Sequence, residues 1–261
     1  MQPSSFEFLP PPSKLGSSIF LELDNRLGTL REDQIYSLAA MGCVPTFLRQ
    51  WLELPVSFGS LSGTIYVLPD YFCLGTNEDY LYVPMGALNA ERVGALFNAR
   101  LPTKRLVQLM YNQGRKQVAQ PWGAPYDGSM SHTSRWPKQT FRVRDALNAQ
   151  AGELTEGHFK SIITSKRTMD NEGKMLGFWG WFDKAGKPIQ GDSQAHGAGY
   201  CDYSHGAHYI ANEMVLDGQL LDVGEVLRHR DYYRVISDEQ FGTYTTYLDV
   251  RRACGILTLL Y

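Results

Sequence analysis

The spacing of apolar residues changes several times along this chain, and each change marks an element. Over residues 32–52 the apolar positions Ile35, Leu38 and Ala39, then Phe47, Leu48, Trp51 and Leu52, recur at near-helical intervals interrupted by Gly42 and Pro45, which predicts two short helices. From 56 to 85 the texture turns to β-branched and aromatic residues, broken at Pro69-Asp70 and at Gly75-Thr76-Asn77. This predicts strand, bend, strand, turn, strand. Helical spacing returns over 89–99 through Val93, Leu96 and Phe97. Thr103 then stands where an N-cap belongs, ahead of Leu106, Leu109 and Met110.

Residues 117–138 lose periodicity and gain proline, glycine and serine, the pattern of a long surface loop. Its Trp122, His132 and Trp136 make it a candidate lid. A helix is expected near 143–151, a strand over 158–165 and another over 175–183, closed by a turn at 184–188. Asp217-Gly218 signals a hairpin after the strand 209–215, with a short helix at 223–227 to follow. The apolar C-terminal run is expected to be tied into the core. Strands and helices mix without a βαβ rhythm, so the expectation is α+β: one domain over 19–261 with a mixed or antiparallel sheet and flanking helices, preceded by a Pro/Ser-rich arm over 1–18.

Composition narrows the function classes. The chain has 261 residues, 43% of them hydrophobic, enough to bury a sizeable core. A net charge of −2 removes the simplest electrostatic case for nucleic acid or an anionic membrane surface. No apolar run is long enough to span a bilayer, and the N-terminus lacks the basic and apolar regions of a signal peptide, so the chain reads as soluble and cytoplasmic. Four cysteines, Cys43, Cys73, Cys201 and Cys254, lie far apart without CxxC spacing and read as free thiols. An apolar patch on the 89–99 helix would be the place for a homodimer.

The densest chemistry lies in 190–210, QGDSQAHGAGYCDYSHGAHYI, which holds His196, His205 and His208 of the six histidines with Asp202, Ser193, Ser204 and Cys201 among glycines. Three readings compete. In the first, His205 is the acid–base group, oriented by Asp202 or His196, and Ser204, Tyr203 or Cys201 is the nucleophile or proton donor. Histidine suits this because its ordinary pKa lies near working pH. If 202–205 is a strand, however, Ser204 and His205 face opposite ways, so a partner for His205 has to come from elsewhere, with His158, Lys160 or Glu78 as candidates. In the second, His196, Asp202, His205 and His208 ligate zinc or iron, with His205 and His208, three apart, on one face if the segment is helical, although neither HExxH nor HxH occurs. In the third, these polar groups satisfy backbone in a glycine-rich loop.

Around this stretch, His158, Lys160, Gln190 and Trp181 are candidate substrate-binding residues. Lys160 is an anchor for a carboxylate or, if desolvated, a base or amine nucleophile, weighed against a solvated surface charge. The aromatic run Phe178, Trp179, Trp181, Phe182 offers a stacking platform or core on both faces. Asp70, Glu78 and Asp79 read as turn caps or as paired carboxylates, and Arg228, His229, Arg230 and Arg234 as a solvated basic cluster or an anion site.

The segments 67–85 (VLPDYFCLGTNEDYLYVPM), 101–111 (LPTKRLVQLMY), 157–167 (GHFKSIITSKR) and 180–210 resemble one family of uncharacterised bacterial and fungal proteins, a likeness spread over most of the chain. It implies one domain whose polar segments meet in space and brings no activity with it. Locally, Ser204-His205-Gly206 is similar to the Ser-His-Gly run before the nucleophilic cysteine of L,D-transpeptidases. Here Ala207 stands in place of that cysteine, so the transpeptidase mechanism does not carry over. The resulting expectation is a cofactor-independent hydrolase or transferase acting on a small-molecule, peptide or glycan substrate. A metal-dependent hydrolase and a non-catalytic glycan- or peptide-binding module are the alternatives.

Overall fold

The computed structural model describes residues 9–121, 128–242 and 246–254. In chain order the elements are α1 (Gly16–Glu22), α2 (Thr29–Ala40), β1 (Leu52–Phe58), β2 (Leu61–Val67), β3 (Cys73–Gly75), β4 (Tyr80–Tyr82) and α3 (Ala87–Ala95). Next come β5 (Ala99–Arg100), α4 (Lys104–Gln113), β6 (Arg115–Lys116), α5 (Trp136–Ala146), β7 (Thr155–Glu156), β8 (Lys160–Ile162), α6 (Lys166–Asp170) and β9 (Phe178–Phe182). The chain continues through β10 (Pro188–Ser193), β11 (His205–Gly206), β12 (Ile210–Leu216), β13 (Gln219–Asp222), α7 (Val223–Arg228) and α8 (Tyr247–Ala253).

Two sheets matter for the site. The larger runs β1-β2-β12-β13, with β5 also on β12, and all of its pairs are antiparallel. The other runs β10-β9-β8-β11, antiparallel except for the parallel pair β8–β11. This mixture of helices with mostly antiparallel strands is the α+β class expected from the sequence. One apolar cluster gathers Ile19, Ile35, Trp136, Ile162, Phe178 and Tyr209; a second gathers Leu54, Ile65, Val107, Met110, Phe182 and Met214. Phe178 and Phe182 belong to one strand yet enter different clusters, so the smaller sheet separates the two.

Local chemistry accounts for several boundaries. The Thr103 hydroxyl accepts from the Leu106 amide and caps α4, and Asp222 does the same for the Glu225 amide at α7. Asp217 and Gly218 both take positive φ, 47° and 79°, the geometry of a two-residue hairpin turn between β12 and β13. A second hairpin turns at Gly59-Ser60, between β1 and β2, where the sequence reading began its strand four residues late. The second helix expected within 32–52 is only a 3-10 turn, Thr46–Leu48.

The candidate lid is corrected in part. Trp136 starts α5 and is buried beneath the Arg31 guanidinium, 4.8 Å from its ring, so it is core and not a lid residue. The helix expected at 143–151 begins earlier, because Pro137 fits a first-turn position. Trp122 and the apolar run 255–261 lie outside the described residues. The helix considered for dimer contacts, α3, is buried on most of its surface against α2 and α8. Arg228, His229, Arg230 and Arg234 are exposed. Among the described residues no helix is long and apolar enough to cross a membrane.

Candidate functional site

Residues 202–216 pass from one sheet to the other, and this crossing divides the polar residues between two places. His205 and Gly206 pair with Lys160 and Ser161 at the edge of the smaller sheet. Ala207 and Tyr209 then accept from the Phe72 and Leu68 amides, and Ile210 enters the larger sheet opposite Val67. Gly206 permits the crossing, since a Cβ there would stand 2.4 Å from the Tyr71 ring. The chain is extended here, so His205 and His208 are carried to different surroundings instead of sharing a helix face.

His208 is fully buried in a polar network between the sheets. Its Nε2 faces the Leu68 carbonyl at 2.8 Å and its Nδ1 the Glu156 carboxylate at 2.8 Å. A carbonyl can only accept, so Nε2 carries a proton. Burial alone would lower this pKa, but the hydrogen bond and charge of Glu156 outweigh it and raise His208 above its ordinary value. Glu156 also accepts from the Tyr71 hydroxyl, the Gly157 amide (3.0 Å) and the Ser161 hydroxyl (3.1 Å). Beside it, Asp70 pairs with His158 Nε2 at 3.0 Å and accepts from the Tyr82 hydroxyl (2.6 Å) and the Tyr71 amide (2.7 Å). Burial would raise the Asp70 pKa; His158, Tyr82 and His208 instead hold it below the usual carboxylate range. His158 therefore belongs to this network, and Asp70, besides capping the Tyr71 amide, is a buried partner of histidine.

The other place is built on one row of the smaller sheet. His205 lies beside Lys160, Lys160 beside Gly180, and Gly180 beside Gln190, in register across four strands. Lys160 is buried, with its ammonium 3.7 Å from Asp202 Oδ2, 5.0 Å from the Trp181 ring centre and 5.6 Å from that of Phe178. The solvated surface lysine of the sequence reading is thereby corrected. His205 packs its ring on Phe178 at 5.1 Å and on Tyr200 at 5.9 Å, and His196 stacks on Tyr200 at 4.0 Å. His196 and Tyr200 are half-buried, and they form the rim.

Trp181 reaches Lys160 through an unusual backbone. Gly180 and Trp181 both have positive φ, 102° and 58°. Regular alternation would put Trp181 on the face of Trp179, away from Lys160. The two left-handed residues reverse this and send Phe182 across to stack on Tyr111 at 3.7 Å. A bulky side chain in the left-handed region costs on the order of 1–2 kcal/mol, and such strain collects where a side chain must be aimed.

Hydrogen bonding fixes the tautomer of His205. The Asp202 amide donates to His205 Nδ1 at 2.8 Å, so Nδ1 offers its lone pair and Nε2 carries the proton. Nε2 is buried and has no hydrogen-bond partner among the described residues; the same holds for Trp181 Nε1. Burial depresses the His205 pKa to about 4, the Lys160 charge adds to this, and Asp202 opposes it. At neutral pH the ring is uncharged. Lys160 is also lowered, chiefly by burial and against the attraction of Asp202.

Asp202 holds this cluster together. Its Oδ1 accepts from the Ser204 amide at 2.8 Å and from the Ser204 hydroxyl, leaving Oδ2 toward Lys160. Burial would raise its pKa, but His205, Lys160 and Ser204 lower it. Because His205 is neutral above about pH 4, Lys160 and Ser204 carry that effect at neutral pH.

The structure thus brings together His205, Asp202, Lys160, Trp181 and His196, with Gln190 in the same sheet row. It leaves out Tyr203, buried in the first apolar cluster, and commits the hydroxyl of Ser204 to Asp202. Cys201 is buried, accepts from Arg31 at 3.1 Å, and has its thiol pKa pushed up by burial, so it is no thiolate. The metal set is not assembled: His208 has both nitrogens engaged, and among the described residues no three His, Cys, Asp or Glu side chains gather to hold an ion. Tyr200 was missed by the sequence reading, and its only signal was its place beside Cys201. A groove of about 770 Å³ lies elsewhere, between α1, β4 and α5. Of its polar groups, Asp79 accepts from Ser17, and Arg144 donates to the Glu78 carbonyl. Comparison of the chain with protein-family models, with curated proteins and with solved structures finds no match.

Proposed function

We propose that Lys160, Asp202 and His205 form the active site of a cofactor-independent hydrolase or transferase that works at a carbonyl centre of a small-molecule, peptide or glycan substrate. The observation that carries this reading is the buried, unpartnered Nε2–H of a neutral His205 beside the Lys160–Asp202 pair. A neutral imidazole N–H held in place by burial is suited to a carbonyl oxygen on which negative charge develops, because it needs no reorganisation as the charge forms. His205 is then an electrophilic donor and not the acid–base group expected from its sequence context. The acid–base role falls to Asp202, whose Oδ2 faces Lys160 at 3.7 Å and can take a proton from an attacking water or acceptor group.

The decisive experiment is a screen of esters, amides, peptides and acylated glycans with wild type, His205→Ala and Asp202→Asn, circular dichroism confirming the fold of each. Turnover lost by about 10²-fold or more in both variants supports the reading, a size typical of removing one donor to a developing oxyanion. Unchanged turnover in folded His205→Ala contradicts it. A second reading, a glycan- or peptide-binding module, draws on the aromatic wall of Trp181, Phe178 and Tyr200. Affinity for such a ligand without product formation would favour it.

A further inference from the structure

We infer that the substrate carries a carboxylate beside its reacting carbonyl, seated on the Lys160 ammonium and the Trp181 indole N–H while His205 takes the carbonyl oxygen. This rests on the reading of the site given above and names the substrate class within it. The cluster's hydrogen-bonding capacity is lopsided. Asp202 Oδ1 is filled by Ser204, and His205 Nδ1 by a backbone amide, so two of the site's acceptor positions are already used. The donors are in surplus: Nε2 of His205 and Nε1 of Trp181 are buried without a partner among the described residues. The Lys160 ammonium has three N–H groups and, at 3.7 Å, one distant carboxylate oxygen. Buried donors left unpaired are costly, so their complement is a ligand rich in acceptor oxygens.

The charge indicates which acceptor. Lys160 places its charge over the Trp181 and Phe178 rings, and Asp202 already offsets part of it. A dianionic phosphoryl group would face that carboxylate with no guanidinium fork to grip it, whereas a monoanionic carboxylate needs one ammonium and one further donor. The second donor is the Trp181 indole: the left-handed pair Gly180-Trp181 brings its ring under the Lys160 ammonium, so its unpartnered N–H lies on the same side of the strand as that charge when a regular strand would turn it away. A carbonyl flanked by a carboxylate is the arrangement at the C-terminal residue of a peptide and in N-acyl amino acids, and the aromatic wall accepts an apolar side chain next to it.

The test compares N-acetylphenylalanine with N-acetylphenylalaninamide, which differ only in the carboxylate, by NMR titration of the wild-type protein. The acid is expected to bind at least tenfold more tightly than the amide. Lys160→Met should erase that preference, and Trp181→Phe should reduce it. Equal affinity of acid and amide, or no binding of the acid, would overturn the inference on wild-type protein alone, whatever the variants do. The two readings fail separately. Preference for the acid with no turnover of any free-acid peptide or acyl amino acid leaves the inference standing and removes the hydrolase. Turnover of neutral esters as fast as of their carboxylate-bearing counterparts leaves the hydrolase and removes the inference.

Discussion

His205 and His208 stand three residues apart, and they show what burial does to histidine in two different settings. His208 faces an acceptor at each nitrogen, and its partner Glu156 is itself surrounded by donors from Tyr71, Gly157 and Ser161. His205 faces a donor at Nδ1 and nothing at Nε2 among the described residues. Burial pushes both rings toward the neutral form. The Glu156 carboxylate reverses that for His208, while for His205 the more distant Asp202 does not. The network around His208 and Glu156 lies between the two sheets and is closed at His208 itself, whereas on its Asp70 side His158 Nδ1 is buried without a partner among the described residues. The cluster at the sheet edge joins the unpartnered Nε2–H of His205 to a strained tryptophan and a desolvated lysine, and it is here that the proposed site lies.

The largest expected effect lies in the network around His208. Glu156→Gln leaves the His208 imidazolium buried without its countercharge, and loss of one partner from a buried pair costs about 3–5 kcal/mol. Denaturant unfolding at neutral pH measures it; a loss under about 1 kcal/mol would show that His208 is neutral too and remove the contrast. Gly206→Ala should also destabilise strongly, because its Cβ would collide with Tyr71 at the junction of the two regions. A folded, stable variant would mean that the sheets can shift apart there.

Acid titration sharpens the contrast further. The folded His205 pKa lies at about 4, below the ordinary 6.5 of an unfolded histidine, so between those values the unfolded chain binds a proton that the folded chain refuses. Stability should fall as pH drops through that window, by up to about 3 kcal/mol, and His205→Gln should flatten this part of the curve. His208 runs the other way: with a raised folded pKa, its contribution is complete below 6.5 and is lost as pH rises through the folded value. The lowered pKa values of Asp70 and Asp202 add a loss of stability once pH falls below the usual carboxylate range. Identical pH profiles for wild type and His205→Gln would place the His205 pKa at its ordinary value.

The smallest expected effect is on stability at Trp181. Removing its unpartnered indole N–H in Trp181→Phe takes away no hydrogen bond of the described chain, so stability should change by no more than about 1 kcal/mol. A large loss measured by thermal unfolding would identify Nε1 as part of the fold and not of a site.

The cap at Thr103, the Asp217-Gly218 hairpin and the helix after Asp222 were legible because short-range turn and capping chemistry decides them. The richness of 190–210 was legible as well. What the sequence hid was the division of that stretch. Helical spacing of His205 and His208 pointed to a shared face, but the extended chain separates them. Lys160 read as solvated because nothing local shows that Gly180 and Trp181 turn left-handed two strands' worth of chain away and close an aromatic wall over it. Glu156 and Tyr71 became partners of His208 only through the pairing of distant strands, a long-range event that no local pattern encodes.

The central claim is that His205 is a neutral donor at Nε2. Nitrogen-15 NMR of the imidazole rings, with the His205 signals assigned by their loss in His205→Gln, tests it directly. The account predicts a protonated Nε2 and an unprotonated Nδ1 that persist without titration from neutral pH to about pH 5. Titration near the ordinary histidine value, or a proton on Nδ1, would contradict it.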